Sequence, residues 1–130
     1  MTYEQLTASR KKTISDFPLR FAFSDSQFKE VVAELGPADT LVSIGGGGIL
    51  RKTDQVAFDK LWDDAQAEMS EAMKDDSFMM SAMVYELGNH EYVYTYDDSD
   101  TVECLDLDVN DERTARILAI AKKTVLSNDE

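Results

Sequence analysis

Cysteine and histidine each occur once in the 130 residues, as Cys104 and His90, and proline occurs twice, as Pro18 and Pro37. A lone cysteine excludes an internal disulfide framework and fits a reducing compartment. A lone histidine excludes a histidine-rich metal cage. No apolar run approaches the roughly 20 residues needed to cross a bilayer, and the amino-terminal MTYEQLTASRKK has no apolar secretion signal. The expectation is a soluble, cytoplasmic protein. Basic side chains are also scarce, 13 against 26 acidic ones, for a formal charge of −13. Direct binding to nucleic acid or to an anionic membrane, which relies on Lys and Arg meeting phosphates, is therefore not expected.

What the chain does contain is enough apolar material for a core, 43% of residues, at a length usual for one domain, so 1–130 is read as a single domain. The densest apolar stretch is FMMSAMVYELGNHEYVYTY, Phe78 to Tyr96. Charge is unevenly placed. Residues 54 to 112 hold eighteen acids and only Lys60 and Lys74, whereas both flanks are close to neutral.

Thr2 and Gln5 have capping-box spacing and open an expected helix from Tyr3 to about Thr13, with Tyr3, Leu6, Arg10 and Ile14 on one face. After Pro18, Leu19, Phe21 and Phe23 alternate as in a half-buried strand. Ser24 with Gln27 opens a second helix that buries Phe28, Val31, Val32 and Leu35 and stops at Gly36-Pro37. Leu41 to Ile44 and Ile49 to Lys52 flank four glycines as a hairpin, completing a small antiparallel sheet. Thr53 or Asp54 caps a long helix to about Lys74, with Phe58, Leu61, Trp62, Ala65, Met69, Ala72 and Met73 inward. Asp75-Asp76-Ser77 breaks and recaps it. The next helix, from Ser77, is apolar nearly all round; it either ends at Gly88 or, as preferred here, continues to about Tyr92. A short helical piece near Thr101 to Leu105 and a final helix from about Asn110 follow, with residues 127–130 frayed. The fold class is α+β: mainly helical, about five to six helices, with two to three short strands.

Several stretches invite chemical readings. Gly45 to Gly48 before Lys52-Thr53 suggests a phosphate loop, but Arg51 stands where glycine must precede the Lys-Thr pair, and a hairpin turn is preferred. Asp106, Asp108 and Asn110 match the first ligand spacings of a calcium loop; Asp111 and Ile117 then break the pattern, leaving the capped start of the last helix. Glu86 and His90 stand at i and i+4 with Glu91 adjacent, weak candidates for metal ligation. His90 with Cys104 or a serine can be drawn as a nucleophile–base pair, without an elbow or oxyanion signature to support either. Met69, Met73, Met79, Met80 and Met83 are read as core filling. No catalytic residue and no cofactor is called for.

The acidic concentration suggests a surface for a positive partner. Asp59, Asp63, Asp64, Glu68 and Glu71 recur along one helix, spaced so that they can imitate phosphates, while Asp97, Asp98 and Asp100 sit beside Tyr94 and Tyr96, residues of a type favoured at interfaces.

FAFSDSQF (Phe21 to Phe28), RKTD (Arg51 to Asp54) and YELGNHEY (Tyr85 to Tyr92) together resemble a family of small acidic proteins of unknown function from phages, prophages and related mobile elements. The resemblance implies a phage accessory role, such as blocking a host CRISPR nuclease or restriction enzyme. The expected function is thus a non-enzymatic protein that binds a basic host surface, with a metal-dependent enzyme or metal-binding regulator using Glu86, His90 and Glu91 as the alternative.

Overall fold

The computed structural model describes residues 1–128. It comprises seven α-helices, five of seven residues or more, with a three-stranded antiparallel sheet, the α+β class expected. The chain forms two compact units, Ser9–Glu68 and Met1–Ala8 with Met69–Glu130.

Helix α1 (Tyr3–Asp16) begins at the predicted capping box: Gln5 N–H donates to Thr2 Oγ1 at 3.2 Å and Thr2 N–H to Gln5 Oε1 at 2.9 Å. Two backbone donors that the helix leaves orphaned are thereby satisfied. Within the Ser9–Glu68 unit, β1 (Arg20–Phe21), β2 (Leu41–Gly45) and β3 (Gly48–Arg51) pair in the order β1-β3-β2. β1 is shorter than the alternation of Leu19 to Phe23 suggested. Beyond Phe21 the pairing leaves one further bond, Ala22 N–H to Gly47 O at 3.0 Å, before the chain turns into α2 (Asp25–Leu35), with Gln27 Oε1 accepting from the Phe23 N–H at 2.7 Å. Phe21, Phe23 and, on α2, Phe28 are exposed rather than inward, with Phe21 and Phe23 stacked at 6.4 Å.

Helix α2 ends where expected: Gly36 has φ +127°, in the region that favours glycine, and its N–H donates to Val32 O. Arg51 Nε donates to the Leu35 carbonyl at 2.8 Å, satisfying another terminal acceptor. Val31 and Leu35 pack with Leu41 and Ile49 into one core cluster. The fully buried Leu50 side chain contributes about 1.5–3 kcal/mol of transfer free energy. Helix α3 (Gln55–Ala72) carries the expected stripe, but only Phe58 of that face is buried. Trp62 stays 45% exposed, its ring edge-on to Phe58 at 6.1 Å.

In the other unit, Asp75 caps α4 (Asp76–Asn89), its Oδ1 accepting from Phe78 N–H at 3.0 Å. Phe78, Met79, Ala82, Met83, Glu86 and Leu87 are buried, as an almost uniformly apolar helix requires. Met79, Met83 and Leu87 pack with Ile117, Leu118, Ala121 and Val125 of α7 (Glu112–Asn128), while Phe78 and Ala82 pack with Tyr3 and Leu6. Ser127 and Asn128 are helical rather than frayed; residues 129–130, also expected to fray, lie outside the described residues.

The helix passes through Gly88 and then stops, three residues short of the predicted Tyr92. His90 caps it, Glu91 turns to φ +59°, and a four-residue helix α5 (Tyr92–Thr95) starts afresh. Tyr96 repeats the left-handed turn at φ +55° before α6 (Ser99–Cys104). Lys122 ties this segment to α7 through Asp98 at 2.6 Å and lies 5.7 Å over the Tyr92 ring.

Candidate functional site

Glu86 occupies a position that the periodicity of α4 assigns to the core, and it is 5% exposed. Leaving a carboxylate there is costly unless its oxygens are satisfied. Three side chains do this. The Tyr3 hydroxyl donates to Glu86 Oε1 at 3.2 Å. On the other oxygen, Cys104 Sγ donates at 3.2 Å and His90 Nε2 lies 3.2 Å away. With the carboxylate ionised, Nε2 carries the proton of that contact.

Local structure sets each member. Glu86 and His90 are one helical turn apart at the end of α4, Cys104 is the last residue of α6, and Tyr3 is the first of α1. Ser81 Oγ accepts from the Tyr3 N–H at 3.1 Å, anchoring the start of α1 to α4. The donor atoms of Glu86, His90 and Cys104 all lie within 4.8 Å of one another.

The electrostatics follow from burial. Desolvation, then the negative charge of Glu86, pushes the Tyr3 phenol well above its ordinary pKa. The Cys104 thiol is pushed up to about 11, by burial first and then by its hydrogen bond to Glu86 and that carboxylate's charge. Cys104 is therefore a thiol near neutral pH, which runs against its reading as a nucleophile paired with His90, since the thiolate is the attacking species.

Two of the three predicted metal candidates are thus assembled. Glu86 and His90 come together, but Glu91 does not join them: the helix has ended, and Glu91 begins α5 as an exposed left-handed residue. Cys104 takes its place, and Tyr3 completes the group. The sequence signal for Cys104 is only that the chain's single thiol can be paired with its single imidazole; for Tyr3 there is none.

The acidic candidates are arranged differently. Asp59, Asp63, Asp64, Glu68 and Glu71 are all exposed along α3, yet Asp64 is paired with Lys60 at 2.6 Å and Glu71 with Lys74 at 2.8 Å. Asp98 is taken by Lys122. Asp97 and Asp100 remain outside the described ion pairs, and Asp97 accepts from the Ser99 N–H at 2.9 Å and from its hydroxyl, which holds its carboxyl below the usual range. Tyr94 and Tyr96 are 79% and 68% exposed. The calcium-loop candidates serve the backbone: Asp108 Oδ1 accepts from Asn110 N–H at 3.0 Å, and Asp111 caps α7 by accepting from Thr114 N–H at 3.0 Å. No helix among the described residues is long and apolar enough to cross a membrane.

These features define a small, mainly helical α+β protein with one buried carboxylate gripped by a phenol, an imidazole and a thiol. The chain belongs to a family of unknown function (DUF7659), matched over residues 2–125. No curated protein and no solved structure matches it.

Proposed function

We propose that this is a non-enzymatic acidic interaction protein of a phage or mobile element that binds a basic surface of a host protein. Its most concrete form is an anti-CRISPR or anti-restriction inhibitor that occupies a nucleic-acid groove by mimicry. The observation that carries the reading is the segment from Tyr94 to Asp100. Two largely exposed tyrosines precede Asp97 and Asp100 in sequence, on a chain bent by the left-handed Tyr96. A non-glycine residue held in that conformation costs of order 1–3 kcal/mol, and such strain is characteristic of binding segments. Tyrosine supplies contact area at low entropic cost, and the carboxylates supply attraction and register for a cationic partner. Asp59, Asp63 and Glu68 on α3, within the other unit, lie outside the described ion pairs, whereas Asp64, Glu71 and Asp98 are already neutralised by the protein's own lysines.

The test is capture from a host lysate on immobilised protein at low and high salt, followed by titration of the purified captured partner. Tyr94→Ala, Tyr96→Ala and the double reversal Asp97→Lys/Asp100→Lys alter exposed positions, so circular dichroism should show an intact fold. The reading expects salt-sensitive binding that each tyrosine truncation weakens at least about tenfold. Binding that is indifferent to salt and to these variants would overturn it.

A further inference from the structure

We propose that Glu86, His90 and Cys104 form a binding site for a borderline-soft divalent cation of the zinc type, with three protein ligands and a fourth position open to water. The site is separate from the interaction surface proposed above and stands or falls independently of it.

Geometry is the first argument. In a tetrahedral zinc site, bond lengths of about 2.0–2.1 Å to oxygen and nitrogen and about 2.3 Å to sulfur place the ligand atoms about 3.3–3.6 Å from one another. Here Glu86 Oε2 lies 3.2 Å from His90 Nε2 and 3.2 Å from Cys104 Sγ. Those two edges need only a few tenths of an ångström; the third, between His90 and Cys104, lies within 4.8 Å, and closing it falls to the exposed cysteine at the end of a short helix.

The second argument is how the carboxylate is held. The Tyr3 hydroxyl occupies Oε1, so Oε2 is the oxygen presented to the imidazole and the thiol. This is how a one-oxygen ligand is oriented in metal proteins, by a hydrogen bond from behind. Glu86 is also a buried carboxylate with no Lys or Arg among its described hydrogen-bond or ion-pair partners. Its partners are hydrogen-bonding side chains with no permanent positive charge among them, and a divalent ion would supply that charge directly.

The donor chemistry selects the ion. One sulfur, one nitrogen and one oxygen suit zinc or cobalt and disfavour magnesium or calcium, which take oxygen ligands. Binding takes Cys104 as the thiolate, its proton leaving to solvent, and His90 in the tautomer with its hydrogen on Nδ1, so that the Nε2 lone pair faces the ion. His90 is half-buried and Cys104 is exposed, so an ion can enter without unfolding the helix pair.

The experiment uses the full chain, stripped of metal and titrated with Zn²⁺ against a competing chelator, and in parallel with Co²⁺ alone. The expected result is one equivalent bound, with Co²⁺ giving intense tetrahedral d–d bands and a thiolate-to-metal charge-transfer band. Cys104→Ser should abolish the charge-transfer band. Cys104→Ser and His90→Gln should each weaken Zn²⁺ binding at least about 100-fold, since losing a ligand costs no less than losing its supporting hydrogen bond. Glu91→Gln should bind as the parent does. Neither ligand substitution falls at a fully buried position, and circular dichroism should match the parent. Absence of stoichiometric Zn²⁺ binding, a Co²⁺ complex without thiolate charge transfer, or Zn²⁺ affinity unchanged in Cys104→Ser would each overturn the proposal.

Discussion

Replacing Tyr3 by phenylalanine deletes one oxygen and leaves its ring in place, edge-on to Phe78 at 6.2 Å and beside Tyr85 at 5.6 Å. The packing term is thus nearly unchanged, and the cost isolates the hydrogen bond to Glu86 Oε1. Both partners are buried, so solvent does not step in readily. A hydrogen bond to an ionised group contributes about 1.5–3 kcal/mol, and an unsatisfied buried acceptor accounts for much of that when its donor is lost. Urea unfolding of Tyr3→Phe in metal-free buffer should therefore show stability lower by about 2 kcal/mol with an unchanged m-value. Glu86→Gln removes the charge but keeps the shape, and in that background Tyr3→Phe should cost less, with a coupling of at least about 1 kcal/mol between the two sites. A Tyr3→Phe cost under about 0.5 kcal/mol, or strict additivity with Glu86→Gln, would refute the claim that the phenol stabilises a buried anion.

Gly88 lies inside α4 with nothing within 4 Å of where a Cβ would stand, so Gly88→Ala should raise stability by about 1 kcal/mol, measured by the same unfolding experiment; no gain would mean that the helix is not continuous there. The N–H and hydroxyl of Thr114 hold the Asp111 carboxyl below its usual pKa. Because the folded value is depressed, the stabilisation is present above the unfolded pKa and is lost as pH falls through the folded one. The difference in melting temperature between the parent and Asp111→Ala should therefore be full at neutral pH and shrink below about pH 4, whereas a constant difference would contradict the assignment.

The helix boundaries legible in the sequence were those written locally. Thr2 with Gln5, Ser24 with Gln27, Gly36 before Pro37, and Asp75 each carry a cap within a few residues of the helix they begin or end, and each acts as its spacing implied. The end of α4 was not legible, because the reversal uses Glu91 in a left-handed conformation that the residue type does not advertise. Nor could the site be assembled from spacing alone. His90 is four residues from Glu86 and was found, whereas Cys104 and Tyr3 lie 18 and 83 residues away and arrive only by packing. The exposure of Phe21 and Phe23 was missed because alternation marks a strand but not what covers its faces; at this two-residue edge strand both rings stay largely in solvent, stacked on each other.

The four glycines of the hairpin are not interchangeable. Gly46, at φ +57° with open space around it, sits where asparagine is also at home, so that position is free to drift. At Gly47, φ is +80° and a Cβ would stand 2.5 Å from the Phe23 ring. That ring is 74% exposed and has room to swing aside, so what holds the position to glycine is its left-handed backbone more than the neighbouring ring.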